Sequence, residues 1–207
     1  MLGDSDLLMN ISHEHKCIFI HIPKAAGTSV KKSLNLGGRG HPPWHYFSTN
    51  FPNEWKTYKK FTIVRNPWDR MVSAYCYARM EKSFWHNSQT GLHPDFELLR
   101  DKSFEECCEM LEQDRQSLTH ESWHSQHLWI AGMLNGKLAC AVDYVLRCES
   151  LDRDFSRLCE ALGKPQTVLP HINKSERMLY KDYYNAKTRS TIARLYATDI
   201  ELLGYSF

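Results

Sequence analysis

Residues 17 to 30, CIFIHIPKAAGTSV, put one lysine, Lys24, and two hydroxyls, Thr28 and Ser29, in a loop of small residues directly after an apolar run. Such a loop offers backbone N–H groups and a helix start to an anion, and the lysine adds a mobile positive charge. The chemistry on offer is capture of a phosphorylated compound. In the nucleotide-triphosphate loop G-x-x-x-x-G-K-[ST] the lysine follows the second glycine directly, whereas Lys24 precedes Gly27. That departure argues against an ATPase or GTPase. The plainer alternative is a strand-to-helix turn with an exposed lysine and Thr28 or Ser29 as helix caps.

A second segment, RNPWDRMVSAY over residues 65 to 75, sets Arg65 and Ser73 eight residues apart across a helix start. Asn66 is suited to cap that helix, Pro67 to its first turn, and Asp69 to the positive helix end. An arginine at a strand end and a hydroxyl on the next helix suit a second phosphate. Between the two segments, the run GHPPWH supplies His41 and His45. Histidine is the side chain best matched to proton abstraction near neutral pH, so either is a candidate general base; the alternative is that both are loop histidines with no role.

A competing pattern is His120-Glu121-Ser122-Trp123-His124, an H-E-x-x-H sequence that on a helix would present two zinc ligands and a glutamate base. The extended continuation of that motif is absent, because His127 comes too early and no glycine falls in register. A zinc hydrolase is set aside on that ground. The plainer reading is a helix start that packs Trp123 and Trp129 and leaves polar histidines beside it.

Together, I-P-K-A-A-G-T-S and V-R-N-P-W-D-R-M-V-S-A-Y resemble the 5′-phosphosulfate loop and 3′-phosphate motif of sulfotransferases that use 3′-phosphoadenosine-5′-phosphosulfate (PAPS). More narrowly they resemble the carbohydrate branch that includes heparan sulfate 2-O-sulfotransferase and short bacterial members. Softer similarities follow in Val142 to Leu151, in Leu169 to Ser175 and in Tyr196 to Tyr205, so the resemblance covers most of the chain. It implies that Lys24 stabilises the leaving phosphate in sulfuryl transfer. Ala26, Gly27, Thr28 and Ser29 would hold the 5′-phosphate and Arg65 and Ser73 the 3′-phosphate. His41, preceded by glycine, would be the base, with His45 in reserve; the acceptor would be a carbohydrate or glycan-like hydroxyl, and no metal is required. Alternatives from other classes are a P-loop kinase or nucleotide hydrolase and a non-catalytic glycan- or nucleotide-binding module.

The elements that must position these residues alternate strand and helix. Strands are predicted at 17–21, 61–64 and 142–146, and helices at 27–36, 66–80, 103–114, 123–134, 151–162 and 188–203. Residues 37–60, with three prolines, and 81–102 read as loops. Strands separated by helices predict an α/β fold, a single P-loop-like domain over 1–207 with a central parallel sheet flanked by helices and ligands at the carboxyl ends of its strands. Lys24 and Arg65 both fall just past a strand end. Trp68, Val72 and Tyr75 share helical spacing and read as core. Trp44, Tyr46, Phe47 and Trp55 would stack on a sugar or fold over the core.

With 207 residues the chain is long enough to bury a sizeable core unaided. Lys plus Arg number 26 against 24 Asp plus Glu, and a formal charge of +2 is too small to argue for nucleic acid as the main partner. Seven cysteines in neither metal-finger nor disulfide spacing read as reduced packing residues. No signal peptide or apolar run of membrane-spanning length is present, which predicts a cytoplasmic protein, or one in the Golgi lumen if an anchor belongs to it.

Overall fold

A computed structural model of the chain describes residues 10–38, 40–81, 91–165, 169 and 178–207. In chain order its elements are β1 (Ile11–Ser12), β2 (Cys17–Ile20), α1 (Gly27–Ser33), α2 (Trp44–Asn50), α3 (Pro52–Thr57), β3 (Lys59–Val64) and α4 (Pro67–Ala78). Then come α5 (Phe96–Leu99), α6 (Phe104–Gln113), α7 (His127–Ile130), β4 (Ala131–Leu134), β5 (Lys137–Cys140), β6 (Tyr144–Arg147), α8 (Leu151–Ala161), α9 (Ala186–Leu195) and α10 (Ala197–Leu203). The fold is α/β. Its main sheet has the order β1-β2-β3-β6, with β2, β3 and β6 parallel and β1 antiparallel at one edge.

The chain divides into two compact units, residues 1–65 with 126–175, and residues 66–125 with 176–207. The first unit holds the sheet. All four residues of β2 are buried, as a strand covered on both faces requires, and β3 is exposed only at its first residue. In the register, Phe19 faces Phe61 and Ile20 faces Thr62, and the Thr62 hydroxyl donates to the Ile20 carbonyl at 2.8 Å. Burial of each phenylalanine ring is worth about 1.5–3 kcal/mol, so this pair anchors the strand ends from which the loops depart. At the far side of the sheet, β6 pairs Leu146 with Ile63.

The second unit is helical. Asn66 caps α4 by accepting the Trp68 N–H at 3.0 Å, Pro67 opens the helix and Asp69 lies in its first turn, as the sequence predicts. Trp68, Met71, Val72, Tyr75 and Ala78 then fall at helical spacing and pack with Leu99, Phe104, Cys107, Leu111, Trp123 and Ile192 into one core. Ser103 and Glu106 form a reciprocal capping box at the head of α6.

Several predicted boundaries change. The loop at 37–60 contains α2 and α3. The helix predicted at 123–134 is a short α7 followed by the β4–β5 hairpin, because Asn135 and Gly136 both adopt positive φ and close a tight turn. The closing helix breaks at Tyr196 into α9 and α10, and the third strand is Tyr144–Arg147. Within the described residues no helix is long and apolar enough to cross a membrane. The seven cysteines are all free, and burial pushes the Cys17 and Cys107 thiols up to about 12, the behaviour of packing residues.

The H-E-x-x-H segment does not form the helix a zinc pair needs. Glu121–Trp123 is a single 3₁₀ turn capped by His120, whose Nδ1 accepts the Ser122 N–H at 3.1 Å, and His124 beyond it is extended. Trp123 and Trp129 are buried, as the plainer reading held.

Candidate active site

The apolar strand β2 ends at Ile20, and the chain passes through His21, Ile22 and Pro23 into the loop at Lys24. Lys24 and Ala26 both take left-handed backbone conformations, with φ near 65°. For non-glycine residues that costs on the order of 1 kcal/mol each, and such strain concentrates where a loop must hold a particular shape. Ala26 is the N-cap residue of α1 and contributes no side-chain hydrogen bond to it. Thr28 and Ser29 lie inside the helix, so neither caps it, contrary to the plainer reading. The first turn of α1 thus presents backbone N–H groups without a side-chain cap from its own N-cap residue. Gly27 is buried, Ser29 is buried and Thr28 is exposed.

Arg65 follows β3 directly. Parallel pairing of β2 with β3 brings the two motifs together: the Arg65 guanidinium donates through Nη1 to the Lys24 carbonyl at 3.2 Å across 41 residues of sequence. The Arg65 backbone is clamped by Gln126, which is fully buried. Gln126 Oε1 accepts the Arg65 N–H at 2.9 Å, and its Nε2 donates to the Arg65 carbonyl at 2.8 Å. A side-chain amide that satisfies both backbone groups of one residue fixes its orientation much as a strand partner would. Gln126 was not predicted, and its position just beyond the H-E-x-x-H segment offers no local signal.

The two candidate bases are separated by their surroundings. His41 is half-buried, its carbonyl accepts from the Trp129 indole at 2.8 Å, and its ring lies 4.5 Å from the ring of His21. His21 in turn stands against Gly27, so His41 is placed near the start of α1. His45 is exposed on α2 with its ring edge-on to Trp44. Trp44 packs on the backbone of Gly132 and donates to the Ala131 carbonyl at 3.0 Å, and Phe47 is fully buried, so these two aromatics serve the fold. His21 is a residue the sequence reading passed over. Its spacing of two from Phe19 on a strand is the signal that would have found it.

Two titratable groups near the loop respond to burial. Desolvation lowers the Lys31 amine, which donates to the Gly38 carbonyl. Burial, reinforced by His41 and Lys31, holds the His21 imidazole well below the usual histidine range, so that ring is neutral at working pH. Ser73, the other 3′-phosphate candidate, is half-buried on α4 in the helical unit. His171, Lys174 and Ser175 of the softer similarity lie outside the described residues.

Comparison with known proteins gives a direct result. The family model described as "Sulfotransferase family" matches residues 8–206. A crystal structure of a sulfotransferase from Alicyclobacillus acidocaldarius is similar at 16% identity, covering 97% of this chain and 89% of that one with a TM-score of 0.38. No curated protein matches the chain. A match from residue 8 to residue 206 leaves almost nothing of the chain outside it, and on that finding the chain belongs to the sulfotransferase family.

Proposed function

We propose that the protein transfers a sulfuryl group from PAPS to a hydroxyl of a carbohydrate or glycan-like acceptor. The observation that carries the reading is the meeting of Lys24 and Arg65, the cationic residues of the two motifs, through the bond between the Arg65 guanidinium and the Lys24 carbonyl. Two further features of the loop fit an anionic donor. The head of α1 has no side-chain cap from Ala26, and Gly27 leaves no Cβ between the loop and the rings beside it.

PAPS supplies the activated sulfuryl group. Backbone N–H groups from Ala26 to Ser29, with the Thr28 and Ser29 hydroxyls, bind its 5′-phosphate, and Arg65 with Ser73 binds the 3′-phosphate. His41 accepts the acceptor hydroxyl proton as the oxygen bonds to sulfur and the bond from sulfur to the phosphate oxygen breaks. Negative charge then grows on the departing phosphate, where the Lys24 ammonium stabilises it more in the transition state than in the ground state. His45, exposed on α2, is the reserve base.

The test is calorimetric titration of the full chain with 3′-phosphoadenosine 5′-phosphate. Binding that falls at least about tenfold in Arg65→Ala and is insensitive to EDTA is expected, since a charged hydrogen bond contributes about 1.5–3 kcal/mol. No binding, or a magnesium-dependent preference for ATP, sinks the reading. Labelled PAPS with pooled desulfated glycans then tests transfer, and His41→Ala should slow it about 10²–10⁴-fold while leaving nucleotide affinity intact.

A further inference from the structure

Four rings form a column inside the first unit. Phe61 on β3 lies 4.8 Å from Phe19 on β2 with the planes 12° apart, Phe19 lies 5.1 Å from His21 at 25°, and His21 lies 4.5 Å from His41 at 54°. The lower half follows from strand pairing. Phe19 and Phe61 are register partners, and His21, two residues beyond Phe19, continues on the same side. Both phenylalanines are fully buried, so the foot of the column is set by the sheet.

The column also explains a glycine. A Cβ on Gly27 would fall 2.4 Å from Cδ2 and Nε2 of His21 and 2.9 Å from the tip of Phe19, so any other residue there would force the rings aside or push α1 away. The phosphate loop therefore abuts the ring that carries His41. From the other side, the Trp129 indole holds the His41 carbonyl, and the His41 ring meets the His21 ring at 4.5 Å.

The His21 Nδ1 is buried with no hydrogen-bond partner among the described residues, so on that side the ring is held by its ring contacts rather than by a hydrogen bond. The charged or titratable groups that face it among the described residues are His41 from the segment before α2 and Lys31 from α1, while Phe19 on β2 carries no charge. A neutral ring adds no positive charge beside a base that must accept a proton.

We infer that His21 is a positioning residue for His41, the ring against which the candidate base is seated above the phosphate loop. The inference rests on the reading of His41 as the base. His21 acts through His41 and does not itself touch the reacting atoms.

The experiment compares wild type, His21→Ala, His21→Phe, His41→Ala and the double variant His21→Ala/His41→Ala as full-length chains saturated with 3′-phosphoadenosine 5′-phosphate. In histidine-labelled NMR spectra, His21→Ala should shift the His41 ring resonances and remove their contact to residue 21. His21→Phe, which keeps a ring in place, should retain that contact. Nucleotide affinity should change by less than about threefold in either variant, because the phosphate contacts are untouched. With labelled PAPS and pooled desulfated glycans, turnover in His21→Ala should fall about 10–100-fold, the cost of a base misplaced by about 1 Å. His21→Phe should recover most of that loss. The double variant should be no slower than His41→Ala alone, since both changes act on one group.

Unchanged His41 resonances in His21→Ala overturn the inference, as does a loss in the double variant that multiplies the two single losses. Loss of nucleotide affinity in both His21 variants in step with turnover also overturns it, by showing a general collapse of the loop. Failure of the functional reading is distinguishable: wild type then binds no nucleotide, while the ring contact is still decided by the spectra.

Discussion

The two units differ in how they close their helix starts and where they carry backbone strain. In the helical unit the buried carboxylate of Asp95 accepts from the Thr119 N–H and hydroxyl, both at 2.8 Å, from the Trp123 indole at 2.8 Å and from the His120 N–H at 3.2 Å. Capping boxes begin α6 and α9. Burial alone would raise the Asp95 carboxyl, but the bonds from Trp123, Thr119 and His120 outweigh it and hold the group below the usual aspartate range. In the sheet unit, by contrast, Lys24 and Ala26 sit in left-handed backbone, and Ala26, the N-cap of α1, offers that helix no side-chain bond. The helical unit closes its helix starts with its own side chains. The sheet unit places strained backbone in the loop that would bind an anion, which is where stability is expected to be given up for function.

This contrast breaks if substitutions in the two units do the same thing. The largest effect is expected for Lys24→Ala, which should lower sulfuryl transfer about a thousandfold by removing a charge matched to the transition state, with melting temperature nearly unchanged. A parallel loss of stability would refute the division. Asp95→Ala should show the reverse, destabilising by about 3 kcal/mol because it leaves the Trp123 indole and two backbone N–H groups unsatisfied, while the folded fraction keeps its activity. Chemical denaturation with turnover corrected for folded protein checks this.

Gln126→Ala tests an intermediate case. It removes the side-chain bonds to the half-buried N–H and carbonyl of Arg65, so about 2 kcal/mol of stability and a measurable part of nucleotide affinity should go together. Loss of stability alone would make Gln126 a purely structural residue.

Acid titration of stability separates the units by pH. His21 has a folded value below its ordinary 6.5, so the unfolded chain takes up a proton there that the folded chain refuses. The stability from neutral His21 is complete above about 6.5 and is lost as pH falls from there toward the folded value. Asp95 contributes stability present above its ordinary 3.8 and lost only as pH falls through its lower folded value. His21→Phe should flatten the first loss and leave the second. The smallest effect is expected for Ala26→Gly: relief of the left-handed strain should raise stability by about 0.5 kcal/mol in thermal melts, after the greater flexibility of glycine in the unfolded chain is subtracted.

Part of the fold around the candidate site was legible because its signals are local. A capping asparagine followed by proline acts within one turn, and Asn66 and Pro67 accordingly open α4 as the sequence predicts. Lys24 likewise falls just beyond the end of β2, as its place after a β-prone run implies. The Ser103–Glu106 box is equally local but was not read from the sequence. The helix predicted at 123–134 failed for a local reason too, since the Asn135-Gly136 turn outweighed helical periodicity.

The amino-acid sequence by itself determined that a small-residue loop with a lysine follows one strand, that an arginine follows another and that histidines lie between them. Only tertiary structure decided that the Arg65 side chain meets the Lys24 backbone, that Gln126 clamps Arg65 across 61 residues, and that His41 leans on His21 while His45 faces solvent. The physical reason is range. Caps and turns are fixed by neighbours within a few residues, whereas these contacts exist only after parallel strand pairing has closed loops of tens of residues, and no local preference records which partners that closure will bring together.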